Sequence, residues 1–327
     1  MLALIQITPW HWAGFVACVI FFLALDLGVF HREAHVVKFK EAVMWTGLWV
    51  TLSFVFGLFI APAIVEGWGK QDTLEFITGY VIELSLSMDN VFVIALVFTY
   101  FRVPPQYQHR VLFWGILGAL VMRGVMIAAG AALISRFMWT LYLFGAFLIF
   151  TGIKMLFVAD DGVHPEKNFV LRLAKRCFPV SAEFHGQRFT IREQGRFTLT
   201  PLALVLLMVE TTDLIFAVDS IPAIFAVTQK PFIVFTSNVF AILGLRSLYF
   251  VLAGAIDYFR YLKVGLSFVL VFIGVKMLLD PHAGEPKWFQ VDIPSSVSLL
   301  VVGAIIATSV ALSVAAGRRE KRGLPRE

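Results

Sequence analysis

Runs of about twenty apolar residues alternate with short polar segments along nearly the whole chain. A helix needs roughly that many apolar residues to cross a bilayer. The pattern predicts nine spans, at 12–30, 43–61, 75–99, 111–131, 137–157, 200–221, 232–254, 262–279 and 294–315. Asp26 ends the first apolar run, which lacks a basic leader and a small-residue cleavage site, so it reads as a span and not as a cleavable signal peptide. The one long polar segment, 158–199, is mixed in charge. It holds a short amphipathic run, Phe169–Phe178, with basic residues along one side. Then comes Gln187–Thr200, where Arg-Phe-Thr-Ile and Gly195 predict a small hairpin or turn. The segment reads as a linker between two halves.

Those halves resemble each other. The third span carries Glu83-Leu-Ser-Leu-Ser-Met-Asp89-Asn90, and the sixth carries Asp213-Leu-Ile-Phe-Ala-Val-Asp219-Ser220. Gly118 through Arg123 in the fourth span is answered by Leu243-Gly-Leu-Arg246 in the seventh. Gly152-Ile-Lys154-Met-Leu-Phe in the fifth is answered by Gly274-Val-Lys276-Met-Leu-Leu in the eighth. Each unit has three crossings, so the second is inserted upside down relative to the first. The expected fold class is therefore all-α: a polytopic membrane protein of nine transmembrane helices with a 3+3 inverted-topology repeat, the arrangement that brings two equivalent sites together near the midplane of many transporters. The expected divisions are 1–74, an N-terminal two-helix segment; 75–157, the first repeat; 158–199, the linker loop; 200–280, the second repeat; and 281–327, a last helix with a basic tail.

Composition agrees with the pattern. Of 327 residues, 59% are apolar and 15% charged, against about 25% charged in soluble domains. A net charge of +5 does not call for nucleic acid, because the basic residues flank the spans. Placing the C-terminus in the cytoplasm and the N-terminus outside puts nineteen lysines and arginines in inside loops and only Lys70, Arg136, Lys230 and Lys287 in outside ones. The inside set includes Arg32, Lys38, Arg102, Arg110, seven residues of the linker from Lys167 to Arg196, Arg260, Lys263 and the tail from Arg318. The positive-inside rule supports that orientation. Cys18 lies in an apolar span and Cys177 in a basic loop, so no disulfide is expected. The seven His residues fall at span ends or in loops, which argues against a bis-His haem.

A charge in hydrocarbon costs on the order of 3 kcal/mol even on the lenient insertion scale, so acids that recur in two spans call for a reason. Six residues of straight helix leave Glu83 and Asp89, or Asp213 and Asp219, ~120° apart. A break between them would let them converge. Pro222 predicts one in the second copy by freeing the Val218 carbonyl; the first copy has no such proline. Glu210 and Asp213, three apart, share a face. The candidate metal site is thus Glu83, Asp89, Asn90, Glu210, Asp213, Asp219 and Ser220, with Arg123 and Arg246 as supporting charge. Its hard oxygens suit Mg²⁺, Ca²⁺ and Mn²⁺. Met88 and Met208 read as packing residues. The bland alternative is that the acids only pair with Arg123, Arg246, Lys154 and Lys276. Both lysines, however, lie near span ends, where they can snorkel, and two arginines do not neutralise five carboxylates. Ser85 and Ser87 lack a His partner, and no Walker motif is present. No enzyme activity is expected, although an intramembrane protease built on Asp89 and Asp219 is a third reading.

Glu83-x5-Asp89-Asn90-Val-Phe, Val209-Glu-Thr-Thr-Asp213-Leu-Ile-Phe-Ala-Val-Asp219-Ser-Ile-Pro-Ala and Thr236-Ser-Asn-Val-Phe-Ala-Ile-Leu-Gly-Leu-Arg246 resemble the TerC family of integral membrane proteins, and the chain is similar to its Alx-type members. The likeness runs from Asp26 through the eighth span. Thr211-Thr212 stands where Leu-Ser is usual, and Met88 where Val is common; neither removes an acid. The family name comes from tellurium resistance, and Alx-type members are implicated in Mn²⁺ export. The resemblance implies that Glu83, Asp89, Glu210, Asp213 and Asp219 handle metal in a bacterial inner membrane. The expected function is export of Mn²⁺ or a similar divalent cation by alternating access, with protons as the exchange ion carried by Glu83 or Glu210. The alternative is a non-transporting membrane partner that supplies metal to, or assembles with, envelope or secreted proteins. Beyond the transported cation no cofactor is expected, and beyond metal and lipid bilayer no partner is identified.

Overall fold

A computed structural model of the chain describes residues 6–25, 39–157, 166, 168–193, 195–253, 261–281, 290–291 and 293–323. Asp26, the loop residues Arg32, Lys38, Lys167, Arg260 and Lys287, four of the histidines (His31, His35, His164 and His282) and the side chains of the basic tail lie outside that set. In chain order the helices are α1 (Pro9–Leu25), α2 (Phe39–Val55), a π-helical turn (Phe56–Ile60) leading into α3 (Ala61–Ile64), α4 (Lys70–Tyr100), α5 (Pro105–Arg136), α6 (Thr140–Phe157), α7 (Phe169–Cys177), α8 (Pro201–Phe225), α9 (Pro231–Ala253), α10 (Leu262–Leu279) and α11 (Ser295–Gly323). Between α7 and α8, strands β1 (Thr190–Glu193) and β2 (Arg196–Leu199) pair antiparallel as the small hairpin that Gln187–Thr200 predicts. Gly195 turns it with φ +77°, a left-handed value that favours glycine.

Among the described residues, eight helical segments are long and apolar enough to cross a membrane, with Phe39–Ile64 counted as one. The shorter α1 has 17 residues. Several helices outrun their hydrophobic windows. α4 has 31 residues, about 46 Å at 1.5 Å per residue, against a hydrocarbon core of about 30 Å. Its start is fixed by a cap and not by lipid: Gly69 N–H donates to Asp72 Oδ2 at 2.7 Å. α8 likewise begins with Pro201 at its first turn, where the missing N–H is harmless.

The expected helix breaks are absent. α4 runs unbroken from Glu83 through Asp89, and α8 continues through Pro222 to Phe225. Pro222 lies so near the end of α8 that it forfeits one hydrogen bond in the last turn, and the Ala226 N–H still bonds its carbonyl at 3.1 Å. The irregular backbone lies instead at Phe56–Ile60, just ahead of Pro62. There the wider π turn absorbs the donor that proline lacks.

α9 is the buried centre. α4, α2 and α5 pack along it, α8 packs on α4 and α5, and α11 packs on α10 and α4. Rings of Phe15, Phe56, Phe76, Phe232 and Phe240 knit α1 and α2 to α4 and α9, with Phe56 and Phe240 centroids 5.0 Å apart. α6 and α10 approach most closely. A Cβ on Gly274 would lie 2.7 Å from the Gly145 carbonyl, and one on Gly152 would lie 2.8 Å from the Ser267 carbonyl. The two pairings also show that α6 and α10 run antiparallel.

At one end of the bundle Lys230 joins three elements. Its Nζ lies 2.6 Å from Asp72 Oδ1 and 2.9 Å from Glu75 Oε2. Thr228 Oγ1 donates to Glu75 Oε2 at 2.7 Å, and Gln71 Nε2 donates to Ser295 Oγ at 3.0 Å. The start of α4, the α8–α9 loop and the start of α11 are thereby tied together. Burial alone would lower the Lys230 ammonium, but its bonds to Asp72 and Glu75 outweigh that and raise it above the ordinary lysine value. α7 and the hairpin sit at the opposite end.

Candidate functional site

Arg123 of α5 stands between α4 and α8. It is 1% exposed. Its Nη1 pairs with Glu83 Oε1 and also reaches Ser220 Oγ at 3.2 Å. Its Nη2 lies 2.8 Å from Asp213 Oδ1, and its Nε lies 3.2 Å from Asp213 Oδ2, a bidentate fork. Ser87 donates to Glu83 Oε1 at 3.4 Å, and Asn90 Nδ2 donates to Asp213 Oδ1 at 3.4 Å. Helical spacing makes this possible. Glu83, Ser87 and Asn90 recur at i, i+4 and i+7 on one face of α4, and Asp213 and Ser220 recur at i and i+7 on one face of α8.

Next to this pair lies a cavity of ≈ 230 Å³. α4 lines it with Glu83, Leu86, Asp89 and Asn90, and α8 with Phe216, Asp219 and Ser220. α6 contributes Thr151, Lys154 and Met155, and α10 contributes Lys263, Leu266 and Leu270. The ~120° between Glu83 and Asp89 is real, yet both reach the cavity because its wall wraps around that arc of α4. No unwinding is needed. Glu83 Oε2 and Asn90 Oδ1 are buried with no hydrogen-bond partner among the described residues. Thr151 and Lys154 flank Asp219.

The structure divides the predicted site residues between two neighbouring places. Glu83, Asp89, Asn90, Asp219 and Ser220 line the cavity. Asp213 is turned to Arg123, and with Arg246 it borders a separate void of ≈ 20 Å³. Glu210 faces α5, where a Cβ on Gly118 would run into its carboxylate. Among the described residues, no three of His, Cys, Asp and Glu gather closely enough to hold a metal ion. The cavity oxygens are spread along a wall and do not form a closed shell. Met88 and Met208 pack in the apolar cluster around Val91 and Ile94, as read from the sequence.

The lysines depart from expectation. Lys154 lines the cavity beside Asp219, and Lys276 is 4% exposed and lies 3.9 Å from Asp280. Both belong to the α6–α10 pair; Lys276 is buried there, whereas Lys154 stays exposed while reaching the cavity. Thr151 and Lys263 also line the cavity and were missed. For Thr151 the sequence holds a signal, since it lies three residues before Lys154 and shares its helix face; Lys263 reads from sequence only as a loop charge. With Lys154 and Lys263 present, the acid surplus near the site is smaller than the sequence implied. Chemically, the site offers one fixed guanidinium that neutralises two buried acids, beside a cavity lined by further carboxylate, amide and hydroxyl oxygens.

A family model described as "Integral membrane protein TerC family" matches residues 68–321. "Uncharacterized membrane protein STKORF319" of Myxococcus xanthus is 52% identical over 311 residues, covering 95% of this chain and 94% of that protein. "Putative membrane-bound redox modulator Alx" of Salmonella typhi is 45% identical, covering 94% of each chain. The protein of the same name in Escherichia coli K12 is 46% identical, covering 91% of this chain and 92% of its own. No solved structure matches significantly. The relatives span nearly the whole chain and the family model covers α4 through most of α11, and the chain belongs to the TerC family of integral membrane proteins.

Proposed function

We propose that this multi-pass membrane protein is a secondary transporter that exports Mn²⁺ or a similar divalent cation. The observation that carries this reading is the pair of buried oxygens without a partner, Glu83 Oε2 and Asn90 Oδ1, on residues that share a cavity wall with Asp89 and Asp219. Buried acceptors are normally satisfied; both atoms are closed off from the cavity as the side chains stand, and a change of side-chain rotamer would present them to a cation there. Oxygen donors favour Mg²⁺, Ca²⁺ or Mn²⁺ over softer metals. The cavity has room for an ion and several waters. An open wall suits cargo that keeps part of its hydration, because transport needs binding weak enough to release.

Alternating access follows from the proposed architecture of nine spans, α1 included, with α4–α6 and α8–α10 as inverted repeats. Three packing relations support it. α4 packs on α9 as α5 packs on α8, and α6 packs on its own counterpart α10. Gly152 is the equivalent of Gly274, and Gly145 of Ser267, so the close contacts Gly145–Gly274 and Gly152–Ser267 exchange under the repeat, as a two-fold axis requires. With the C-terminus in the cytoplasm of a bacterial inner membrane and the N-terminus outside, Lys154 and Lys263 mark the cytoplasmic end of the cavity, and the Lys230 network closes the outer end. An exporter loads from the cytoplasmic side. Protons are the proposed exchange ion. Glu210 is the better carrier, because Glu83 is held by Arg123.

The redox role in the name of the Alx relatives would, on this reading, run through metal supply and not through a dithiol, since Cys18 and Cys177 are free and lie on α1 and α7. A ligand that binds only the folded state stabilises it by mass action. Mn²⁺ should therefore raise the Tm of the purified full-length protein. Asp89→Asn and Asp219→Asn should shrink that rise while leaving the metal-free melt near wild type. Equal rises in all three proteins would remove the cavity from the proposal.

A further inference from the structure

Helix α7 presents an apolar face that the other described elements cover only in part. Asn168 caps it, its Oδ1 accepting from Val170 N–H at 2.9 Å and Leu171 N–H at 3.1 Å. At 100° per residue, the apolar residues of α7 cover one wide arc, and Arg172, Lys175 and Arg176 form a stripe on the remainder. One edge of the apolar arc is used within the protein. Leu171 is 1% exposed and packs with Leu202 and Val205 of α8, and Ala174 packs against Leu199, Ala203 and Leu204. The other edge is bare: Phe169 is 69% exposed and Leu173 49%. Phe178, just past α7, and Phe197 on the hairpin extend it, their centroids 6.0 Å apart.

The level of α7 along α8 says what covers that edge. Asn168 Nδ2 lies 3.2 Å from Met208 Sδ, and Met208 is seven residues into a membrane-spanning helix, about 10 Å from its start. The N-terminus of α7 is thus alongside the span and not beyond it. A short helix packed beside the first turns of a span, with bare Phe and Leu on one side and three cations on the other, has the build of a helix seated at the bilayer interface. The same 158–199 segment carries further basic residues, Arg188, Arg192 and Arg196.

We propose that α7 is an interfacial helix that docks the 158–199 segment onto the surrounding bilayer, with Phe169 and Leu173 among the acyl chains and Arg172, Lys175 and Arg176 on anionic phospholipid headgroups. The segment is then a membrane-anchored platform and more than a linker. This holds whether or not the cavity moves metal.

Cys177 supplies a native probe, because it is exposed and lies on the arc of Leu173 and Val170. Full-length Cys18→Ser protein is labelled with a nitroxide at Cys177 and reconstituted in vesicles of phosphatidylcholine alone or mixed with phosphatidylglycerol. Collisions with oxygen, which partitions into lipid, are compared with collisions with a water-soluble nickel chelate. A second label is placed at Arg172→Cys in a Cys-free background. The expected oxygen-to-nickel ratio is several-fold higher at 177 than at 172. It rises further with phosphatidylglycerol, and the rise is lost when Arg172, Lys175 and Arg176 are replaced by Gln in the Cys177-labelled protein. Equal nickel access at 177 and 172 in both vesicles would overturn the proposal and leave a soluble protein as the occupant. Insertion at 177 that ignores lipid charge would overturn the assignment of the basic stripe.

Discussion

Arg123 neutralises Glu83 and Asp213 at once, and both acids belong to the motif that the sequence singles out. Removing one member of a buried ion cluster strands the others, which costs about 3–5 kcal/mol. Arg123→Met should therefore lower stability by that order in detergent melts. Adding Glu83→Gln and Asp213→Asn should recover most of the loss, because the stranded charges are then gone. No recovery in the triple variant would mean that Arg123 acts through packing alone. The acids themselves were legible because charge in an apolar run is conspicuous. Their partners were harder to read. Arg123 and Arg246 look equivalent in sequence, yet Arg123 holds both acids while Arg246 borders a small void beside Asp213. Lys154 looks like a residue that ends its span, but the packing of its helix turns it to Asp219. Side-chain direction is set by tertiary contacts that spacing along one helix does not encode.

Among the elements, α6 and α10 depend on small residues. A Cβ on Gly274 would lie 2.7 Å from the Gly145 carbonyl and 2.8 Å from the Ile149 side chain, whereas one on Gly303 of α11 would meet nothing within 4 Å. Gly274→Ala should cost about 1–3 kcal/mol by forcing the helices apart. Gly303→Ala should be neutral or slightly stabilising, since alanine favours a helix. Melting the two variants side by side checks this, and equal effects would count against a tight α6–α10 contact. Lys230 offers a test by pH. Its folded pKa is raised, so its stabilisation is complete below the unfolded lysine value of about 10.4 and fades as pH rises through the folded value. Lys230 is 42% exposed while its two acids are nearly closed off, so Lys230→Met should cost about 1–2 kcal/mol, between the surface and buried limits. The difference from wild type should be steady at pH 7 to 9 and should disappear only at strongly alkaline pH. A difference already lost at neutral pH would rule out the ion pairs as its source. Pro222 teaches the opposite lesson about legibility: proline marks a break in mid-helix, but within a helix's last turn it removes a single bond and leaves the rod intact.

At the scale of the whole molecule, hydrophobic runs locate the membrane helices almost one for one, because length and apolarity are what a bilayer demands. The runs understate helix length wherever a cap, such as Asp72 on Gly69, carries the helix past the hydrocarbon. They do not identify the central helix by apolarity, since among the eight spans of the described residues the buried α9 is the least apolar and the exposed α11 the most; lipid-facing sides must be apolar throughout, whereas a helix enclosed by protein can carry polar side chains that its neighbours satisfy. The proposed repeat is legible only through a few polar and glycine positions, and the contacts between Gly145 and Gly274 and between Gly152 and Ser267 are where it would bear on packing. The transport proposal joins these parts: a cavity with unpartnered oxygens toward one end, an ionic closure at the other, and two similar halves to rock between them. Flux through the purified protein in sealed liposomes, read by a Mn²⁺-quenched dye and a pH dye inside, tests it most directly. Wild type should carry Mn²⁺ across unaided with protons moving the opposite way, Asp89→Asn should stop both, and Glu210→Gln should uncouple or stop proton movement. Folded, reconstituted wild type that moves no Mn²⁺, or Asp89→Asn protein that moves it at the wild-type rate, would contradict the transport reading and favour a membrane partner that handles metal without carrying it across.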